Sequence, residues 1–327
     1  MLKIAMLSKW HVHAVDYAKV VKSSGNAMIT AVWDDDETRG EAWAKELGCD
    51  WEPCLDTLLA RDDVDAVICD TPTTAHRDVL TRAAKAKKHI FTEKALAATA
   101  ADCEAIADEI EKAGVTFTIS LPQRTEQIAR LAKEMVDRGD FGKISFVRIR
   151  KAHSGVSGGW LPEYWFEEKD AGGGALMDLG CHPMYMAAWL GGKPVRVTSI
   201  MNMPLGSKVD ENAAVSIEFE NGIIANAETS FISHRTPELL EIYGTDATLI
   251  AIGTDVRLYH KNVAAFTQDY ITPALPSPMP LPISLFIDAC ITGTGAPEHF
   301  GTRDGIDLTR LLEGAYISNR ENRTVLL

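Results

Sequence analysis

Two histidines one residue apart, His11 and His13, stand in the segment Ser8-Lys9-Trp10-His11-Val12-His13, just after the first apolar run. Imidazoles at that spacing can ligate a metal or face an anion. A second candidate is Glu93-Lys94, which ends another apolar run. An ammonium there could polarise a carbonyl or stabilise a developing alkoxide as water is excluded. The third stretch is Gly172-Gly173-Gly174-Ala175-Leu176-Met177-Asp178-Leu179-Gly180-Cys181-His182-Pro183. Its glycine run lets backbone approach a ligand closely and then opens a helix. Asp178 and His182 are spaced i,i+4, so they share one face of that helix. A carboxylate beside an imidazole fixes its tautomer and raises its basicity, as a general base for a hydroxyl proton requires. Pro183 predicts a kink just after His182.

A metal at His11 and His13 would need further His or Asp ligands at later strand ends. His76 follows the third strand, but the fourth offers Glu93-Lys94, and lysine is no metal ligand. One histidine is therefore expected to cap the helix or face a phosphate while the other packs, with no metal.

The elements that must position these residues alternate. Short apolar strands at Lys3 to Leu7, Ala27 to Trp33, Val64 to Cys69, His89 to Thr92 and Val115 to Ser120 are separated by helical patterns. Those helices cover Val12 to Lys22, the segment up to Leu47, His76 to Ala86 and Ala98 to Ala113. This texture predicts a parallel sheet with helical crossovers, whose ligands sit at the carboxyl ends of the strands. A dinucleotide fold places G-x-G-x-x-G at the first such turn, yet Ser8, Trp10 and His13 hold the three glycine positions. Position still favours a dinucleotide: the turn joins strand to helix, and Asp34 ends strand two, ~20 residues on, where a carboxylate bonds a ribose 2′-OH. Asp34-Asp35-Asp36 would repel a 2′-phosphate, so NAD is expected over NADP; the competing reading is that the three acids cap the next helix.

Beyond the helix Glu126 to Arg138 the texture changes. Ile144 to Arg150, Val195 to Met201, Ala213 to Phe219, Ile223 to Phe231, Leu239 to Tyr243 and Thr248 to Tyr259 read as strands. Asn221-Gly222 between two of them is a hairpin signal, so an antiparallel sheet is expected. Pro273 to Pro282 holds five prolines in ten residues and predicts an extended loop, with closing helices at Leu285 to Thr292 and Asp304 to Ser318. The boundary falls near residue 121.

Composition bounds the partners. The chain has 327 residues and a formal charge of −13, with 46% hydrophobic and 24% charged residues. That is an ordinary globular composition of about two domains, without the basic face a nucleic acid or an anionic membrane would need. Six scattered cysteines without a CxxC pair, no leader pattern and no long apolar run predict a soluble cytoplasmic protein.

Taken together, the chain resembles the Gfo/Idh/MocA oxidoreductases, and in particular a subset with His-x-His at the first turn. The resemblance rests on the Rossmann-like first third, Thr71-Pro72-Thr73-Thr74-Ala75-His76, Glu93-Lys94, the Gly172 to His182 stretch, Tyr243-Gly244-Thr245-Asp246 and Leu312 to Ser318. It implies an α/β fold: a Rossmann-like domain at 1–121, then a substrate-binding and oligomerisation domain at 122–327 with a large open, mainly antiparallel sheet. That sheet would form a homodimer or homotetramer, and the C-terminal helix would pack back on the first domain. The resemblance further implies NAD(P)-dependent hydride transfer to or from a sugar, polyol or related hydroxy compound. Cofactor contacts would come from Ser8, Trp10, His11, Asp34, Thr71, Pro72, His76, Glu93 and Lys94. Lys94 would orient and polarise the reacting oxygen, His182 act as acid/base, and Asp178 orient it. His153, Trp160, Trp165 and Tyr185 are candidates for the substrate, aromatic faces suiting the C–H faces of a pyranose. Three departures stand out: the glycine-free turn, Ala95 in place of a usual proline, and Tyr185 where many members have aspartate. The alternatives are a member altered in catalysis that binds a ligand or regulates, and a metal-dependent enzyme using His11 and His13.

Overall fold

A computed structural model describes residues 1–261 and 270–327. The chain forms two compact units, 1–121 with 280–309, and 122–279 with 310–327.

In the first unit the strands are β1 (Leu2–Leu7), β2 (Ala27–Trp33), β3 (Asp50–Trp51), β4 (Ala66–Cys69), β5 (His89–Thr92) and β6 (Phe117–Ile119). Helices α1 (Ala14–Ser23), α2 (Glu37–Leu47), α3 (Leu55–Leu59), α4 (His76–Lys85) and α5 (Ala100–Ala113) lie between them. The strands are all parallel in the order β3-β2-β1-β4-β5-β6. The order reverses at β1, and the crevice at that switch point is where such sheets take ligands. Local signals set the helices. Asp36 accepts the Arg39 N–H at 2.9 Å as N-cap of α2, which stops at Gly48 in the left-handed region, φ 74°. Thr99 caps α5 in the same way, and Gly114 ends it.

The second unit carries α6 (Gln127–Arg138), β7 (Ile144–Ala152), α7 (Glu168–Ala171), α8 (Ala175–Asp178) and α9 (Cys181–Gly191). Strands β8 (Pro194–Asn202), β9 (Asn212–Phe219), β10 (Ile224–Ser230), β11 (Leu239–Gly244), β12 (Ala247–Ile252) and β13 (Asp255–His260) follow. Near the C-terminus come α10 (Pro282–Thr292), α11 (Thr302–Glu321) and β14 (Val325–Leu326). The sheet order is β13-β12-β11-β7-β10-β9-β8-β14. All pairs are antiparallel except β7 with β10. A hairpin signal such as Asn221-Gly222 fixes only β9 with β10; the partner of β10 on its other side is remote in sequence, and helix α9 packs across both. Val147, Ile149, Ala225, Ala227, Val215 and Ile217 face the covered side. The opposite side carries Phe146 and Ile200, 47% and 73% exposed, beside a ladder in which Arg148 and Arg150 both bond Glu228.

Residues 280–309, read from sequence as part of the second domain, return to the first unit. Ile283, Phe286 and Ile287 of α10 are buried in the core built on Ile4, Met6, Ile68 and Phe91. That burial, on the order of 2 kcal/mol per apolar side chain, is what holds the segment there.

Candidate functional site

The first turn keeps a dinucleotide-fold shape without glycine. Ser8 is buried with φ 70°, a left-handed conformation that favours glycine. Its hydroxyl compensates: Oγ donates to Asp34 Oδ1 at 3.1 Å and accepts the Trp10 N–H at 3.1 Å. Asp34, placed by the last residue pair of β2, is buried as well. It accepts the Lys9 N–H at 2.8 Å, the Asp36 N–H at 3.0 Å and Arg39 Nε at 2.9 Å. Burial alone would raise its pKa; Arg39 and the N–H donors outweigh that and hold the carboxyl below its usual range. Of the three acids Asp36 caps α2, whereas Asp34 ties β2 to the turn. Arg39, which sequence reading missed, also bonds Asp35 at 2.8 Å. Trp10 is buried.

At the ends of β4 and β5 a buried polar cluster forms. His13 Nδ1 lies 2.9 Å from Glu93 Oε1, and His11 Nε2 lies 3.6 Å from Glu93 Oε2. Tyr17 donates to Glu93 Oε1 and lies 2.7 Å from Ser120 Oγ. The three donors of His11, His13 and Glu93 fall within 4.8 Å of one another, a spacing that admits a metal ion. The hydrogen bonds present are those of an imidazole–carboxylate cluster instead. The His13 N–H donates to His11 Nδ1 at 3.2 Å, so a neutral His11 carries its proton on Nε2, towards Glu93. Burial pushes Glu93 up, but His11, His13 and Lys94 more than reverse this and hold it well below the carboxylate range. Asp70, the residue after β4, is the opposite case. It is fully buried, neither carboxylate oxygen has a hydrogen-bond partner among the described residues, and burial together with Glu93 pushes its pKa well up. An acid directly after an apolar strand was a legible signal for it.

Lys94 is 3% exposed, its N–H donates to Glu93 Oε2 at 3.1 Å, and the Lys94–Ala95 peptide is cis. Thr71 and Pro72 are buried beside this turn. His76 was expected at the cofactor; its ring is instead enclosed, with Nδ1 3.1 Å from the carbonyls of Ala95 and Leu96 and Nε2 3.2 Å from that of Thr71. It is a clamp that joins the two ligand-edge turns, and burial lowers its pKa.

In the second unit the glycine run serves the protein itself. A Cβ on Gly174 would lie 2.2 Å from the Asp210 carbonyl oxygen, and one on Gly173 2.2 Å from Tyr316 Oη. The Asp210 carboxylate takes the N–H groups of Gly174 and Leu176 at 2.9 and 2.7 Å, and the Tyr316 hydroxyl takes those of Gly174 and Met177. The amides that sequence reading offered to a ligand are therefore spent. The single helix expected here is broken at Leu179–Gly180, ahead of His182 and not after it. Pro183 sits in the first turn of α9, where a missing N–H costs no hydrogen bond.

His182 is buried, and its Nδ1 lies 2.8 Å from the Tyr185 hydroxyl. That hydroxyl also accepts the Gln123 N–H at 3.1 Å. Tyr185, expected at the substrate, is 1% exposed and packs under the Arg124 guanidinium, 5.5 Å from its ring. Tyr185, three residues on, is thus the hydrogen-bond neighbour of His182 Nδ1, and Asp178 is half-buried at the end of α8. Trp165 is 3% exposed and belongs to the core, whereas Trp160 is 54% exposed with His153 4.7 Å from its ring. His153 stacks on Phe231 at 5.1 Å.

Comparison with known proteins places this geometry. Residues 12–121 match the oxidoreductase family with an NAD-binding Rossmann fold, and residues 129–250 match the GFO/IDH/MocA C-terminal domain. The D-xylose 1-dehydrogenase (NADP(+)) 2 of Haloferax volcanii is 30% identical over 225 residues, 68% of this chain and 67% of that one. The scyllo-inositol 2-dehydrogenase (NAD(+)) of Bacillus subtilis is 28% identical over 252 residues, 75% of this chain and 70% of that one. A 2,7-anhydro-N-acetylneuraminate hydratase of Mediterraneibacter gnavus is 31% identical over 191 residues, 56% of this chain; the match spans only about half, 48%, of that relative's length. A levoglucosan dehydrogenase solved with NADH and L-sorbose has the same fold, with a TM-score of 0.87 at 18% identity over 100% of this chain and 98% of that one. The chain belongs to the Gfo/Idh/MocA family of oxidoreductases.

Proposed function

We propose that the protein is an NAD(P)-dependent oxidoreductase that moves a hydride between the nicotinamide and a carbon of a sugar, polyol or related hydroxy compound. The observation that carries this reading is Lys94, a buried lysine at the carboxyl end of a strand in a dinucleotide-type sheet. Dehydrogenases of inositol and xylose among the relatives support the substrate class.

The residues fit a dinucleotide at its adenosine end, where the Ser8 turn and Asp34 are built. At the pyrophosphate, the N–H groups of Lys9, Trp10, His11 and His13 are engaged inside the turn. The side chains of Lys9 and His13, 28% and 38% exposed and paired with Glu46 and Glu93, are the donors proposed for phosphate oxygens. Trp10, His11, Thr71, Pro72 and Glu93 shape the rest of that edge. NAD is the proposed cofactor over NADP: Arg39 is neutralised by Asp34 and Asp35, so the ribose end stays acidic and repels a 2′-phosphate.

When bound, the nicotinamide supplies or takes the hydride. The role proposed for Lys94, in the first unit, is to hold and polarise the reacting oxygen; those proposed in the second are acid/base for His182 and a polar contact to substrate for Asp178. Trp160 with His153 offers the exposed aromatic face for a sugar ring. The open sheet face with Phe146 and Ile200 is the proposed surface for a homodimer or homotetramer. No helix among the described residues is long and apolar enough to cross a membrane.

Calorimetry with NAD(H) and NADP(H) is the test, followed by turnover on a panel of sugars and polyols. NAD(H) is expected to bind more tightly than NADP(H), and Lys94→Ala to lose about 10²–10⁴ in turnover. No nicotinamide binding at millimolar concentration sinks the reading. Binding without turnover across the panel would favour a ligand-binding or regulatory member.

A further inference from the structure

The hydroxyl of Tyr185 has two hydrogen-bond partners among the described residues: the Gln123 N–H at 3.1 Å and His182 Nδ1 at 2.8 Å. The backbone N–H can only donate. The single proton of the phenol therefore has one acceptor within reach, His182 Nδ1. Burial pushes the Tyr185 pKa well up, so the phenol keeps that proton.

We infer that Tyr185 is a positioning residue that fixes the proton of His182 on Nε2: the phenol donates to Nδ1, and the neutral imidazole presents Nε2–H. This deepens the proposed function, on which the meaning of His182 at a substrate rests. With an aspartate as orienting partner, Nδ1 would carry the proton and Nε2 would be bare, ready to accept one. Tyr185 reverses that polarity. His182 then meets a reacting oxygen as a hydrogen-bond donor that stabilises a developing alkoxide, and not as a proton acceptor. The same bond disfavours the imidazolium, because a proton on Nδ1 would turn the phenol proton away from its one acceptor. The charged and titratable groups around this pair are Arg124, Cys181 and Glu126 at the Tyr185 ring and hydroxyl, with Asp178 at the end of α8. Arg148, Arg150 and Glu228 of β7 and β10 lie on the other face of the sheet.

Nitrogen-15 NMR of the imidazoles tests this without substrate or cofactor. The chain has nine histidines, and the signals lost in His182→Gln identify His182. The expected spectrum shows a bare, hydrogen-bonded Nδ1 and a protonated Nε2. In Tyr185→Phe, the His182 titration midpoint is expected to rise by about one pH unit, a tenfold change in equilibrium. A protonated Nδ1 in the wild type overturns the inference, as does a midpoint unmoved in a folded Tyr185→Phe. Failure to bind NAD(H) would sink the proposed function and leave this measurement standing.

Discussion

Asp70 makes a prediction that runs against the ordinary direction of mutational damage. Its carboxyl is fully buried, has no hydrogen-bond partner among the described residues and faces the anionic Glu93, so burial and then Glu93 hold the protonated form in the folded state. A carboxyl whose folded pKa is raised takes up a proton on folding at any pH between its unfolded and folded values. The cost is about 1.4 kcal/mol per pH unit above the free value of about 3.9. Asp70→Asn swaps one neutral polar group for another of the same shape and removes the titration. The variant should therefore match the wild type near pH 4 and pull ahead as pH rises, by about 3–6 °C in the transition of the first unit for each pH unit over which the carboxyl stays protonated. Thermal unfolding of both proteins at pH 4.5, 6 and 7.5 reads this directly. A variant less stable than wild type at pH 7.5 but not at pH 4.5 would refute the reasoning, since it would mean an ionised Asp70 held by a cation.

Two further outcomes follow from the same unit. Arg39→Ala removes the guanidinium from a buried carboxylate that keeps its bonds from Ser8, Lys9 and Asp36. The expected loss is about 1.5–3 kcal/mol at pH 7 in thermal unfolding. Because the folded pKa of Asp34 is lowered, its contribution is present above about pH 4 and disappears as pH falls through the folded value, so the difference from wild type should shrink on acidification. Treatment with a strong chelator should leave both the melting temperature and the metal content of the washed protein unchanged, since the His13 ring already bonds Glu93 and the His13 backbone N–H bonds His11 Nδ1. A melting temperature that drops with EDTA and returns with zinc would establish a metal at that cluster.

How much of this was readable in the sequence depended on whether the deciding partner was near in the chain. The parallel sheet was legible because each apolar run is bounded by its own turn and helix signals. The return of Ile283, Phe286 and Ile287 to the first core was not, because nothing local to α10 names the surface it covers. The glycine run shows the same limit at one site. Glycine at 173 and 174 says that something approaches the backbone closely, and only the fold says that it is Tyr316 and Asp210, more than thirty residues away. Asp178 and His182 were paired by helical spacing, a sound rule for an unbroken helix; the break at Leu179–Gly180 and the bond of His182 Nδ1 to Tyr185 were not legible, because neither is written in the spacing.

The first turn carries the more general point. A missing G-x-G-x-x-G weighs against a dinucleotide only if glycine is the sole way to build the turn. Glycine at the first position avoids the penalty of a left-handed backbone, about 1–2 kcal/mol for another residue. Ser8 meets that penalty with its own hydroxyl, which bonds Asp34 and the Trp10 N–H, two charge-assisted or buried bonds of about 1 kcal/mol or more each. The turn is therefore stable without glycine as long as Asp34 is there to receive the hydroxyl. On this account Ser8 and Asp34 are one device. Asp34 at the end of β2 was the better guide to the fold, because it specifies the partner that makes the substitution at Ser8 affordable. The same trade has a consequence for binding: backbone N–H groups that a glycine turn would leave open are bonded inside this one. Under the proposed function, phosphate recognition would then fall to side chains such as Lys9 and His13, 28% and 38% exposed and paired with Glu46 and Glu93.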